Sequence, residues 1–381
     1  MPPPTPEPKG PTLTNAPPTG RKFPCAECGA RLDFDPTARS LKCPYCGHVE
    51  QIQPDNAKVE DRDYEEYLRK LAGQRTTIAG RSSQVRCTGC GAVVLLEDQV
   101  VTERCPFCAT HLENKPEAAQ DMIAPESLLP FKIDERGARA AFDRWVAGRW
   151  FAPNSFKKMA NLGQVNGVYL PFWTYDAMTY THYTGQRGVD YTETETYTET
   201  NAQGESETKT RTVVKTMWFP VSGEVQHFFD DVLVCASKSL PKNRVAALAP
   251  WDLGALTGFK AEYLSGFKTE RYAVGLKDGF DEAKSIMSRT IEELCRQDIG
   301  GDHQIVDSMR TQHVGVTFKH LLLPLWLASY RYFDKLYHIL VNARTGAVTG
   351  DRPWSWWKIG LLVLLIMAIA GVLIYLTAMH K

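Results

Sequence analysis

Residues 359–379, IGLLVLLIMAIAGVLIYLTAM, carry no charged side chain. As a helix rising about 1.5 Å per residue they reach roughly 30 Å, the thickness of the hydrocarbon core of a bilayer. A tryptophan belt and a lysine come directly before them, so we expect Trp354, Trp356, Trp357 and Lys358 to lie at the membrane interface. A buried core helix is the alternative, but little chain follows that could cover it. The pattern predicts a C-terminal tail anchor over residues 354–381.

The charges around this stretch predict its orientation. Arg344, Arg352 and Lys358 precede it, whereas His380 and Lys381 follow it. Under the positive-inside rule the bulk of the chain is then cytoplasmic and the span crosses the inner membrane once. The opening residues 1–22 form a proline-rich polar tail without the apolar run of a secretory signal, and their composition predicts disorder.

Two pairs of Cys-x-x-Cys motifs are the most specific signal in the chain. Each cysteine of the second set lies 62 residues after its counterpart in the first, which indicates an internal duplication. Four thiolates in two such pairs meet the ligand requirement of a tetrahedral structural zinc site, and they leave no position open for a catalytic water. The predicted ligands of two structural zinc ions are Cys25, Cys28, Cys43 and Cys46 in the first module and Cys87, Cys90, Cys105 and Cys108 in the second.

Other chemistries use the same ligands. A redox Cys-x-x-Cys pair and an iron–sulfur cluster both remain open, although zinc suits a cytosolic chain with this spacing better. The glycines at 29, 47 and 91 allow a tight turn around the metal. Ala109 departs from that pattern and predicts a looser fourth turn. Each module resembles a zinc ribbon, a fold that binds DNA, RNA or protein or only holds a small domain together.

The charge balance argues against nucleic acid as the partner. The chain has 44 basic and 44 acidic residues, so its formal net charge is zero. Basic and acidic residues are also mixed around each ribbon rather than grouped in a basic stripe. Phosphate binding depends on clustered positive charge, so the ribbons are interpreted as protein-binding modules.

The sequence of the soluble domain predicts helices and antiparallel strands. Apolar residues repeat at helical spacing over Asp61–Ala72, Ile133–Arg149 and Phe280–Asp298. The second and third of these are each followed by a Leu-Pro-x-Trp motif, at Leu170 and at Leu323, and then by strands. That recurrence suggests a second, diverged duplication.

Residues 190–215 alternate threonine with charged residues, which is the period of a β-strand. The first arm is acidic and the second basic, so we expect an antiparallel hairpin with cross-strand charge pairs. Because both kinds of charge fall on odd numbers, the loop between the arms must be odd in length. The hairpin is interpreted as a protrusion into solvent.

The remaining chemistry-bearing residues form no enzyme motif. Cys235 and Cys295 lie in apolar patterns and are expected in the core. The chain has no GxxxxGK[ST], GxGxxG, GxSxG or HExxH sequence. We therefore expect a non-enzymatic protein, with an enzyme of unfamiliar type as an open alternative.

Taken together, these features resemble the bacterial TFIIB-type zinc-ribbon membrane proteins, which are often labelled primosomal protein N′ or superfamily II helicase. The ribbons, the Leu-Pro-x-Trp strands, and Val341–Gly346 ahead of the span carry the likeness. The helicase label has little support, because the chain lacks a nucleotide-binding loop. The resemblance implies association with SPFH-domain or phage-shock-protein-A-like membrane-stress proteins.

The predicted fold class is a multidomain chain with two small zinc ribbons, an α+β domain with antiparallel strands and one C-terminal transmembrane helix. Its segments are the tail (1–22), ribbon 1 (23–52), a linker with a helix (53–80), ribbon 2 (81–115), the α+β domain (116–353) with its hairpin (190–215), and the anchor (354–381). The expected function is a tail-anchored adaptor that docks cytoplasmic proteins at the membrane. The alternative is a membrane-tethered factor associated with nucleic acid.

Overall fold

The computed structural model describes residues 23–53, 61–73, 84–95, 102–108, 110–113, 123–156, 165–200, 206–333 and 335–379. The tail predicted at 1–22 lies outside these ranges. The predicted fold class is confirmed, because two four-cysteine sites, a sheet-rich α+β body with antiparallel strands and one C-terminal apolar helix are all present.

The described elements follow one another from the first ribbon to the C-terminal helix. The strands are β1 (Asp33–Asp35), β2 (Ser40–Lys42), β3 (Val49–Glu50), β4 (Arg62–Asp63), β5 (Gln84–Arg86), β6 (Val93–Leu95), β7 (Thr102–Arg104), β8 (His111–Glu113), β9 (Ser127–Leu128), β10 (Val165–Thr200), β11 (Ser206–Cys235), β12 (Thr257–Gly258), β13 (Lys268–Glu270), β14 (His303–Tyr332), β15 (Lys335–Asn342) and β16 (Val348–Gly350). The helices are α1 (Tyr64–Gly73), α2 (Glu135–Ala147), α3 (Lys242–Ala246), α4 (Leu276–Ile299) and α5 (Trp356–Met379).

Three long strands dominate the sheet. β10 has 36 residues, and β11 and β14 have 30 each. β10 pairs antiparallel with β11 on one side and with β14 on the other. At about 3.3 Å per residue, β10 is roughly 120 Å long. Its distal part projects well beyond the body as a blade, defined here as residues 178–200, 206–228 and 303–314.

The tip of the blade is the hairpin expected at residues 190–215. Glu195 lies opposite Arg211 and Tyr197 opposite Lys209, so odd residues face odd residues across a five-residue loop, as the alternation predicted. Ion pairs join the arms, with N–O distances of 2.9 Å for Lys209–Glu199, 3.2 Å for Arg211–Glu195 and 2.8 Å for Lys215–Glu193. The hairpin is the end of two much longer strands, which the sequence pattern did not indicate.

The two Leu-Pro-x-Trp motifs lie side by side at the centre of the sheet. Leu170 in β10 is the register partner of Leu323 in β14. Short parallel strands flank this pair on its two sides. β9 places Ser127 opposite Leu321, and β13 places Lys268 opposite Val168. The centre of the sheet therefore has an approximate two-fold axis.

The same symmetry relates the tryptophans to the helix starts. Trp173 Nε1 donates to the Val274 carbonyl oxygen at 2.9 Å, and Trp326 Nε1 donates to that of Ile133 at 2.8 Å. Each acceptor lies two residues before the start of a helix, α4 and α2 respectively. Each half of the repeat thus anchors the helix of the other half. These reciprocal bonds support the second duplication that the sequence suggested.

Side chains from the two faces of the sheet enter different cores. One face packs Tyr169, Trp173 and Trp326 against α2, α4 and the first ribbon. The opposite face packs Leu170 and Leu323 against the second ribbon. The ribbons consequently lie on opposite faces of one sheet, and each completes the hydrophobic core of its own face.

The expected helices are present with shifted ends. The pattern over Phe280–Asp298 belongs to α4, which begins at Leu276 and ends at Ile299. The predicted strand after the second Leu-Pro-x-Trp motif covers only the C-terminal end of β14. Its missed residues, 303–320, mix polar and apolar types without strict alternation and without a long apolar run, so neither pattern typical of a strand marks them.

We expect Trp173→Phe and Trp326→Phe each to lower the free energy of unfolding by about 1–3 kcal/mol. Each change removes a buried hydrogen bond and leaves a carbonyl oxygen without its donor. Chemical denaturation monitored by circular dichroism measures the loss. Trp218→Phe on the blade is the matched control, because Trp218 is 41% exposed. Equal stability of all three variants would contradict the anchoring role.

Candidate metal centres

The eight predicted ligands assemble into two four-sulfur clusters. In each, all four Sγ atoms lie within 4.8 Å of one another. In the first cluster the Cys25–Cys46 and Cys28–Cys43 Sγ distances are both 3.5 Å. In the second, Cys87–Cys108 is 3.3 Å and Cys90–Cys105 is 3.7 Å. The structure therefore brings together the two sets of four cysteines that the sequence spacing predicted as ligands.

Tight backbone turns hold the cysteines in place. Gly29, Gly47 and Gly91 adopt positive φ angles of 68°, 77° and 76°, which a residue with a side chain rarely tolerates. Each glycine N–H donates back to the carbonyl of the first cysteine of its motif, at 2.8–3.1 Å. In the fourth turn Cys105 N donates to Thr110 O at 2.8 Å, as in the other three. Ala109, expected to loosen this turn, lies outside the described residues.

The sulfur geometry suits tetrahedral zinc. Four thiolates about 2.3 Å from a central ion would lie roughly 3.8 Å apart, close to the Sγ distances of 3.3–3.7 Å. All ten cysteines are free of disulfides. The donor set thus fits two structural zinc ions.

The clusters differ in exposure. Cys28 and Cys46 of the first cluster are exposed, whereas no cysteine of the second is. The first ribbon contacts the body through its apolar side and through Ser265, whose Oγ donates to the Leu32 carbonyl at 2.6 Å. The second ribbon joins the main sheet directly, because β6 pairs with β13 and β13 with β10.

A buried carboxyl group lies at the seam between the second ribbon and the sheet. Glu270 is 2% exposed and is the register partner of Val94 in β6. Ser237 Oγ donates to its Oε2 at 2.7 Å, and Ser239 Oγ donates to its Oε1. Burial raises the pKa of Glu270 to about 7, so the folded state favours the protonated form. No sequence pattern indicated this buried carboxyl group.

A third group of possible metal ligands consists of carboxylates, and a lysine ammonium group binds one of them. Asp176, Asp230 and Asp231 lie within reach of one another at a β-bulge. Lys319 Nζ reaches Asp231 Oδ1 at 2.9 Å, while the Asp231 N–H donates to Asp176 Oδ1 at 2.6 Å. Asp231 therefore belongs to a partly buried ion-pair cluster, whereas its neighbour Asp230 is exposed. The lysine supplies the cation that a metal would otherwise supply.

Residues 356–377 form a helix long and apolar enough to cross a membrane, and none of this stretch is buried against the body. Trp356 and Trp357 at its start are 79% and 82% exposed. Lys358, predicted at the membrane interface, also contacts the body. Its Nζ donates to the carbonyls of Trp150 at 3.1 Å and Ala152 at 2.9 Å, which ties the helix to the body.

The loop before this contact adds aromatic residues that the sequence analysis missed. Trp150 is 70% exposed and stacks on Phe151, with ring centroids 5.8 Å apart. Phe151 in turn lies 6.5 Å from Trp354. The aromatic layer at the foot of α5 is thus built from two separate parts of the chain. Cys235 and Cys295 are buried, as predicted.

The fold and its two sites define a class: an α+β protein with two zinc-ribbon-like four-cysteine sites and a C-terminal apolar helix. The chain is similar to the uncharacterized protein YdjG of Bacillus subtilis (strain 168), with 25% identity over 346 residues, covering 88% of this chain and 91% of that protein. No protein-family model matches the chain. No solved structure matches it.

Zinc should leave the two sites at different rates. We expect the purified full chain to bind two zinc ions and to release them to a chelator in two phases, the faster from the exposed first cluster. Cys46→Ala should abolish the fast phase and Cys90→Ala the slow one, each leaving one zinc. Elemental analysis and a colorimetric zinc indicator measure both quantities. Cys235→Ala, the control, should retain two ions; a variant of either cluster that also retained two would refute its ligand assignment.

The buried glutamate should make stability depend on pH. Because its folded pKa of about 7 exceeds the ordinary value of 4.5, it contributes stability below pH 4.5 that is lost as pH rises through 7. The stability of Glu270→Gln relative to the original protein should therefore increase by about 1 kcal/mol from pH 6 to pH 8. Denaturation at both pH values with zinc present tests this. The exposed Glu293→Gln should show no such change, and a pH-independent Glu270→Gln difference would contradict the assignment.

Proposed function

We propose that this chain is a non-enzymatic adaptor, anchored in the inner membrane by α5, that holds a protein partner at the cytoplasmic face. One observation carries the proposal. The two four-cysteine ribbons pack against the sheet whose strands extend into the blade, and Lys358 ties the body to the apolar helix α5. The parts thus divide into an anchor, a braced body and a projecting surface.

The anchor is supported by the composition and surroundings of α5. Its apolar residues are exposed to the exterior along the whole span, which costs free energy in water and none in lipid. The exposed tryptophans at its start fit the polar boundary of a bilayer. Arg344, Arg352 and Lys358 on the body side favour a cytoplasmic location of the body under the positive-inside rule.

A structural role of the metal is supported by its ligand set. Four thiolates complete the coordination of a tetrahedral ion, so water and substrate have no position on it. The apolar sides of both ribbons are buried against the body. On this proposal the ribbons stiffen the base of the blade, and the docking surface lies elsewhere than on their packed faces.

The blade offers the docking surface. Where β14 begins next to the end of α4, the sheet narrows from three strands to two. A shoulder of apolar side chains is exposed there by 36–50%: Val189, Met217 and Phe219 on one face of the strands and Trp218 on the other. Among the described residues β11 pairs with β10 alone, so its outer backbone edge is open to another strand. Exposed aromatic residues beside an open strand edge suit a protein partner.

A protein partner fits the charges of the blade better than nucleic acid does. Lys209, Arg211 and Lys215 of the basic arm are each ion-paired with a glutamate of the acidic arm. Their charge is therefore neutralised locally rather than presented to phosphates. The sequence resemblance indicates the class of partner: an SPFH-domain protein or a phage-shock-protein-A-like protein.

Affinity purification of the full chain from detergent-solubilised membranes tests this function. We expect an SPFH-domain or phage-shock-type protein to co-purify, and Trp218→Asp with Phe219→Asp to abolish its recovery by disrupting the shoulder. Tyr45→Asp is the control, because Tyr45 is 83% exposed on the first ribbon, away from the shoulder. Both variants should retain two zinc ions and remain in the membrane fraction.

Other results would redirect the proposal. Loss of the partner with Tyr45→Asp alone would place docking on the first ribbon. Recovery of nucleic acid and replication proteins in a salt-sensitive manner would favour the membrane-tethered nucleic-acid factor. Recovery of the chain in the soluble fraction would refute the anchor itself.

A further inference from the structure

A cavity of about 610 Å³ lies at the foot of α5, and neither the metal centres nor the blade accounts for it. Its walls come from the end of α2, from α3, from β15 and β16, and from the segment that leads into α5. Four basic side chains line it, Arg149, Arg244, Lys335 and Arg352, against the single carboxylate of Asp351. Asp351 is ion-paired with Arg244 at 2.5 Å. The cavity therefore has a surplus of positive charge.

Two of the guanidinium groups are held flat against tryptophans. The guanidinium carbon of Arg149 lies 4.4 Å from the Trp145 ring centroid, and that of Arg352 lies 4.4 Å from the ring of Trp354. An indole that covers one guanidinium face fixes its plane and leaves the N–H groups along its edge free to bind an anion. Arg149 Nε is buried and has no hydrogen-bond partner among the described residues. The side chains are thus arranged for a ligand that accepts hydrogen bonds and carries negative charge.

The position of the cavity indicates where that ligand comes from. Trp354, which forms part of the wall, lies two residues before α5 and contacts Phe151, on which the exposed Trp150 stacks. Exposed tryptophans beside a membrane span lie at the level of the lipid headgroups. The cavity is therefore at the depth where lipid phosphates are most concentrated, on the leaflet whose anionic lipids attract basic residues.

We infer that this cavity binds the phosphate group of an anionic phospholipid headgroup. The stacked guanidinium groups of Arg149 and Arg352 would donate paired N–H bonds to the phosphate oxygens, a geometry that guanidinium matches and ammonium does not. Lys335 is exposed at the wall and would add charge without fixed geometry. The inference rests on the proposed membrane anchoring and adds a lipid ligand that orients the body on the bilayer.

Native mass spectrometry of the full chain in detergent tests the site. Titration with phosphatidylglycerol should show one lipid bound about tenfold more tightly than phosphatidylcholine, whose headgroup has no net charge. The double variant Arg149→Gln, Arg352→Gln should lose that preference. The matched control is Lys277→Gln with Arg289→Gln, which removes the same charge from exposed positions of α4 and should bind as the original chain does.

Each other outcome overturns the inference. Equal affinity for the two lipids would show that anionic charge is not recognised. Unchanged binding in the cavity variant, or equal loss in the control, would show that general charge rather than this cavity attracts lipid. Competition by glycerol 3-phosphate at the same concentration as the lipid would make a soluble phosphate ester the ligand.

Two further measurements keep the test decisive. If the double variant binds fewer than two zinc ions and is therefore misfolded, Arg352→Gln alone replaces it, because Arg352 is only partly buried and its guanidinium group lies over the ring of Trp354. Membrane fractionation separates this inference from the proposed function. A chain that stays in the membrane without lipid preference refutes the lipid site alone, whereas a soluble chain refutes the anchor.

Discussion

The antiparallel pairing of β10 with β14, centred on Leu170 and Leu323, is the constraint on which the rest of the structure depends. This pair gives the sheet two buried faces at its centre, and each face must be covered. On one face the helices α2 and α4 of the repeat cover the sheet, and a tryptophan from the opposite half of the repeat hydrogen-bonds to the residue two positions before each helix start. The first ribbon completes the same face and the second ribbon covers the other. The two four-cysteine sites are therefore built into the cores on the two faces of one sheet, and the ribbons act on that sheet through packing.

The sequence predicted what short-range spacing determines. Cysteine intervals predicted which eight sulfur atoms come together in two groups of four, because a tetrahedral site requires two close pairs whatever the surrounding fold. The odd-numbered charges predicted the register of the hairpin tip, because strand geometry has a period of two residues. Helices with an apolar face appeared in the right places, with ends displaced by a few residues.

Contacts between distant parts of the chain could not be predicted in this way. No spacing rule indicates that Trp150 and Phe151 join Trp354, about 200 residues later, or that Lys358 caps the carbonyls of the same loop. The buried carboxyl of Glu270 depends on serines more than 30 residues away. The length of β14 could not be predicted for a related reason. Its first part lies in the blade, where a solvent-exposed face carries polar residues and the strand lacks an apolar run. These features arise from tertiary packing, and a single sequence carries no direct signal of it.

The blade shows how local charge stabilises a structure that has little core. Beyond the end of α4 only β10 and β11 continue, so this stretch buries few apolar side chains. Two-stranded ribbons are marginal in water unless cross-strand pairs support them. Threonines alternate here with a ladder of ion pairs, in which Lys215 reaches both Glu193 and Glu195 at 2.8 and 2.9 Å. Exposed ion pairs contribute little singly, but a ladder of them also disfavours slippage, because a shift of one residue would separate every pair. The charges that keep the tip in register also keep it soluble. The apolar shoulder is therefore the part of the blade whose exposed apolar surface a partner could bury.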